Sequence, residues 1–103
     1  MAKIRITVQK RFKPSEVFKN GPPVDTTVKD ACSRFHDGQE FISEDGRTPE
    51  NFPCAWAWDG MYPYLVHLNY GGDFPWVREK GKVLTGCTDG FTPVIFKLER
   101  IKE

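Results

Sequence analysis

No apolar run in this chain approaches the ~20 residues needed to cross a bilayer as a helix. The opening MAKIRITVQKRF alternates polar and apolar residues and lacks the apolar block and cleavage site of a signal peptide. A cytoplasmic location without a membrane partner is therefore expected. An excess of one charge is missing too: 15 Lys and Arg against 14 Asp and Glu leave a formal net charge of +1. Proteins that bind nucleic acid electrostatically usually show a basic face and a high pI, so no nucleic-acid partner is expected. Cysteine is scarce. Its count of 3 is odd, which argues against a secreted disulfide framework, and no CxxC pair offers a thioredoxin-like or zinc-ribbon spacing. Gly71-Gly72 lacks the flanking strand, lysine and spacing of a phosphate-binding loop. No Ser/His/Asp set stands in a distinguishing local motif, and no internal repeat or low-complexity segment occurs. With neither a catalytic nor a cofactor signature complete, the reading leans away from an enzyme and leaves any cofactor open.

What the chain does have is one aromatic concentration. Residues 51–76, NFPCAWAWDGMYPYLVHLNYGGDFPW, hold all 3 tryptophans, all 3 tyrosines and 2 of the 8 phenylalanines. Such side chains dominate core and binding energetics. The spacing predicts an amphipathic helix entered through Asn51 and Pro53 and left through a left-handed cap at Gly71-Gly72. Cys54, Trp58, Met61, Tyr62, Leu65 and Leu68 fall on its core-facing stripe. Pro63 costs a hydrogen bond in a helix interior. Either the helix kinks near Asp59-Gly60, or Pro63 opens a second helical segment. Phe74-Pro75-Trp76 is read as an extended return over the surface.

At 103 residues the chain makes a single domain, 1–103, with one modest core. Ile4, Ile6 and Val8 alternate with polar residues as a half-buried strand. A short helix over 13–18 would use Ser15 as its cap, and Asn20-Gly21-Pro22-Pro23 stops it. A second helical turn is expected over 25–31. Residues 32–38 read as a loop, 39–43 as a strand with Phe41 inward, and 44–49 as a polar connector. The last third reads as two strands, 82–88 and 91–101, joined at Asp89-Gly90 by a type I′ turn. The expected fold is α+β: a small, mostly antiparallel sheet of three to four strands with one principal aromatic-rich helix. The first strand is expected to pair with the last.

The residues able to carry chemistry are few. Cys32, Cys54 and Cys87 all lie at element ends, from which separate segments can converge. If Asn51 caps the helix, Cys54 sits in the first turn, where unpaired amides support a thiolate. The bland alternative is that free cysteine acts as a small buried hydrophobe. Cys32 and His36 have a spacing seen in zinc sites. His67, near the helix end, suits a capping role. Asp59 lies within the aromatic helix, and a carboxylate held against tryptophan can work as an acid or base; the alternative is a solvent-facing residue. Asp89 suits its turn. Trp56 falls off the Trp58 face, and Tyr64, Tyr70 and Trp76 exceed what so small a core holds. Exposed aromatics of this kind mark ligand grooves or subunit interfaces.

Four segments together resemble a family of short uncharacterised prokaryotic proteins, some of which carry the unit in tandem. They are KIRITV at the start, C-x-x-F-x-x-G-Q-E-F at 32–41, P-C-A-W-A-W…Y-P-Y-L…L-x-Y-G-G-x-F-P-W at 53–76, and C-T-D-G-x-x-P-V-I-F-K-L at 87–98. The likeness spans nearly the whole chain. It implies that these segments are the family's signature, and it implies no activity, substrate or cofactor. This chain departs at Gly86, where relatives often carry a second cysteine, and at Ser33, where many carry proline. The first departure weighs against a metal site built on a cysteine pair.

Three functional expectations follow from different classes. The first is a small binding or accessory domain, self-associating or holding a small-molecule or protein partner. Its site would lie between the aromatic helix and the C-terminal hairpin, at Trp56, Trp58, Asp59, Trp76 and Asp89. The second is a thiol-based redox or metal-binding protein using Cys32, Cys54, Cys87 and His36. A small acid–base enzyme centred on Asp59 is a third.

Overall fold

The computed structural model describes residues 2–23 and 27–102. Its elements run β1 (Lys3–Arg11), α1 (Pro14–Val17), β2 (Glu40–Glu44), α2 (Ala55–Asn69), β3 (Lys82–Gly86) and β4 (Val94–Lys102). The four strands form one sheet in the order β2-β1-β4-β3, each neighbouring pair antiparallel. This is the expected α+β architecture, and the first and last strands do pair at its centre. Alternation decides which face is buried. Ile4, Ile6 and Val8 of β1, Val83 of β3, and Val94, Phe96 and Leu98 of β4 turn to one face and are almost wholly buried. Ala57, Met61, Leu65 and Leu68 of α2 close that face, and all of these residues belong to one core. Burying each of the larger ones fully stabilises the fold by about 1.5–3 kcal/mol.

The helix departs from expectation at its start. Cys54, not Asn51, is the N-cap; its Sγ accepts the Ala57 amide at 3.4 Å. Asn51 instead turns the preceding chain with a φ of 62°. A single helix runs through Pro63, and no second segment begins there. Pro63 is exposed, so the Asp59 carbonyl that its ring leaves without a donor stands on the solvent side. Tyr62, expected in the core stripe, is 44% exposed. The helix end matches expectation closely: Gly71 has a φ of +86°, its amide donates to the Leu68 carbonyl, and the Gly72 amide donates to that of His67. That pair of bonds is a Schellman cap.

Three smaller expectations are corrected. In α1 the N-cap is Lys13 rather than Ser15, and Glu16 reaches back to accept the Lys13 amide at 2.8 Å. The helical turn expected over 25–31 begins outside the described residues, and from Thr27 to Ala31 there is no helix. The Asp89-Gly90 junction is not a type I′ turn, since neither residue has the positive φ such a turn requires. Residues 87–93 form a wider loop. Asp89 organises it by accepting the Phe91 amide and the Thr92 hydroxyl, each at 2.9 Å.

The segment before β2 contributes more than a connection. Gly38 donates to the Val8 carbonyl, and Arg11 holds Asp37 and the Cys32 carbonyl. Those bonds hold Phe35 beneath the sheet, 1% exposed and 5.1 Å from Phe96 between ring centres.

Candidate functional site

Residues 73–81 connect α2 to β3, and their course is set by one buried cation. The side chain of Arg100, on β4, is 8% exposed. Its Nη1 donates to the carbonyls of Leu68 at 3.0 Å and Gly72 at 2.8 Å, the end of α2 where a cation is favoured. Its Nη2 meets Asp73 Oδ1 at 3.2 Å. The same oxygen accepts the Gly81 amide at 2.6 Å, so one carboxylate closes both ends of the connector. The Gly81 bond holds the Asp73 carboxyl below its ordinary pKa; desolvation opposes it, and the hydrogen bond and charge of Arg100 add to the lowering.

A ladder of rings stands on this base. His67 lies over Gly72, where an added Cβ would fall within 2.6 Å of the imidazole, and its Nε2 bonds the Asp73 carbonyl at 2.8 Å. Phe74 packs on His67 at 4.7 Å and on Tyr64 at 5.8 Å between ring centres. Trp76 in turn leans on Phe74 at 5.1 Å. The segment is a turn, closed by the Val77 amide on the Phe74 carbonyl, and not the extended return its sequence suggested. Trp76 is thus fixed from behind and still 69% exposed.

In front of Trp76 lies a groove of about 660 Å³ along β3, lined also by Gln9, Val77, Arg78, Glu79, Lys82, Val83, Leu84 and Lys97. Much of its floor is the sheet face that α2 leaves uncovered. Across the strands Leu84 faces Lys97, and Lys82 faces Glu99, which also faces Arg5. Glu99 is 7% exposed, with Arg5 at 3.2 Å, Lys97 at 3.4 Å and Lys82 at 3.6 Å. Burial pushes its pKa upward, but the Arg5 hydrogen bond and the charges of Lys97 and Arg5 outweigh that and hold it below the ordinary value. Glu79 bonds Lys82 at the rim, which lowers the pKa of Glu79 and raises that of Lys82.

Of the five ligand-binding candidates, the groove takes in Trp76 alone. Trp56 is exposed on α2, Asp59 is exposed beside it, and Trp58 is half-buried against Phe52 and Tyr62. Asp89 is committed to its own loop. The helix and the β3–β4 loop do meet, with an added Cβ at Gly60 lying 3.6 Å from Thr88. The thiols of Cys32, Cys54 and Cys87 are free and half-buried. Cys87 Sγ accepts the Val94 amide at 3.3 Å, as Cys54 Sγ does that of Ala57, and His36 lies exposed in the 32–38 loop. Among the described residues, no three His, Cys, Asp or Glu side chains are grouped to hold a metal ion. Gln9, Leu84 and Lys97 were missed by sequence reasoning. Their only signal was the polar phase of their strands, which reads equally as plain surface.

No protein-family model matches the chain, nor does any curated protein or any solved structure. Among the described residues, no helix is long and apolar enough to cross a membrane.

Proposed function

We propose that this chain is a small cytoplasmic binding domain whose ligand lies in the groove between Trp76 and the open sheet face. The observation that carries the reading is Trp76 itself: a large ring held by a hydrogen-bonded base and by the tilted ring of Phe74, yet facing solvent at the rim of a concavity. A groove near 660 Å³ falls within the ~300–1,000 Å³ range of small-molecule sites. A fixed ring also spares the ligand the ordering cost that a mobile one would impose.

The test is titration with small planar fragments, read from the indole N–H signals of the tryptophans in ¹H–¹⁵N spectra. Trp76 and the Leu84 and Lys97 amides should shift together, and Trp76→Ala should remove the response without unfolding the protein. Shifts confined to Trp56 and Trp58 would move the site to the aromatic helix.

The edge position of β3 favours a second reading. Among the described residues this strand pairs with β4 alone, and Leu84 on it is 60% exposed. A second copy adding its own β3 there would extend the sheet and cover Leu84. Light scattering across a concentration series decides: a dimer that Leu84→Lys dissociates supports it, and a monomer throughout removes it.

A further inference from the structure

The groove's chemistry is unevenly distributed, and the unevenness specifies a ligand class. Among its lining side chains are three cations, Arg78, Lys82 and Lys97, against one carboxylate, Glu79. Beneath them Glu99 is offset by Arg5, so the local excess of positive charge stands in a chain whose formal net charge is only +1. Lys82 and Lys97 are held near one another by a shared partner, Glu99, at 3.6 and 3.4 Å. An ammonium has three donors. Glu79 accepts one from Lys82, while Glu99 stands at ion-pair distance from both lysines, which leaves donors for a further acceptor. Arg78 is exposed and makes no hydrogen bond or ion pair among the described residues. Opposite these cations the groove offers a tryptophan, whose face suits stacking by a flat ring, and an apolar floor at Leu84.

We propose that the groove takes a small anion built on a flat ring, of the nucleotide class. The ring stacks on Trp76, and the anionic group is received by Lys82, Lys97 and Arg78. The proposal rests on the binding-domain reading and adds the ligand's charge and shape to it. Glu99 is then the counter-ion that keeps two lysines in place in the unliganded protein, and Arg78 supplies a cation with no partner among the described residues.

The experiment compares adenosine monophosphate with adenosine, titrated into the full chain and followed by the Trp76 indole and the Leu84 and Lys97 amides. The monophosphate should shift all three and bind about tenfold more tightly than the nucleoside, an advantage that added salt reduces. Arg78→Ala, an exposed change that leaves the fold alone, should weaken the monophosphate about three- to fivefold and leave adenosine unchanged. Equal affinity for the two probes overturns the anionic assignment while leaving a ligand groove in place. Neutral planar fragments that shift Trp76 while the monophosphate does not would overturn the ligand class. Silence at Trp76 with every probe overturns this proposal and the binding-domain reading together.

Discussion

At the N-terminal end of α2 the aromatic rings lead inward; beyond its C-terminal end they lead outward. The first series runs from Tyr62 through Trp58 and Phe52 to Phe35 and ends on Phe96 beneath the sheet. The second runs from Tyr64 and His67 through Phe74 and ends on Trp76 in solvent. Their ring spacings are alike, so the contrast is not one of contact quality. What differs is the anchor. Phe35 is gripped on several sides by core rings, whereas Trp76 is gripped from behind only, through a connector that Arg100 and Asp73 tie down. Aromatic packing therefore serves two ends here: one series fills a core that would otherwise be thin for this length, and the other displays a ring.

The comparison breaks most readily at Phe35. Replacing a fully buried aromatic ring with alanine should destabilise the protein by about 3–5 kcal/mol. Urea unfolding of Phe35→Ala measures this, and a loss under ~1 kcal/mol would mean that the inward series is not the anchor of the fold.

How far this was legible from sequence follows from the same residues. The strands and helix declared themselves through alternation and helical spacing, and Gly71-Gly72 through its position just past the last periodic residue, where a left-handed cap suits glycine. Beyond its place in the C-x-x-F-x-x-G-Q-E-F segment, Phe35 gave no sign of burial, because it sits in a loop without periodicity and is held by bonds between that loop and Val8 and Arg11 of β1, distant in sequence. The candidate site was legible only at Trp76. Beyond its neighbours Val77, Arg78 and Glu79 in the connector, its partners lie on β1, β3 and β4, and their meeting depends on the 2-1-4-3 strand order, which pattern alone does not determine. Asp89-Gly90 misled for a different reason: Pro93 and the Cys87 thiol shape a wider loop, and the aspartate serves through its side chain.

A smaller and more selective effect is expected at the base of the outward series. Arg100→Met keeps much of the side-chain volume but removes the charged bonds to Leu68, Gly72 and Asp73. It should cost about 1.5–3 kcal/mol, with the Trp76 indole signal displaced and the Phe35 cluster unchanged. Acid acts on the same tie. Asp73 and Glu99 both ionise below the ordinary carboxylate range when folded, so each contributes stability above about pH 4 that is lost as the pH falls through its folded-state pKa. The urea midpoint should drop from pH 6 to pH 3, and by less in Asp73→Asn, which keeps an acceptor for Gly81 but no longer titrates. An identical drop in the variant would remove Asp73 from the acid response.

The smallest expected change in stability is the most informative about purpose. Trp76→Ala removes the last ring of the outward series, and because that ring is 69% exposed its loss should alter unfolding free energy by no more than about 0.5 kcal/mol. Phe74, left behind, still packs on His67 and Tyr64. A tryptophan that can be removed so cheaply, held by a base that costs several-fold more to break, is a displayed ring rather than a structural one. Should Trp76→Ala instead destabilise by as much as Phe35→Ala, the two series would be equivalent parts of one core, and the groove would lose its reason to exist as a site. Equilibrium unfolding of the two variants side by side, with tyrosine rather than tryptophan emission as the common probe, measures that difference directly.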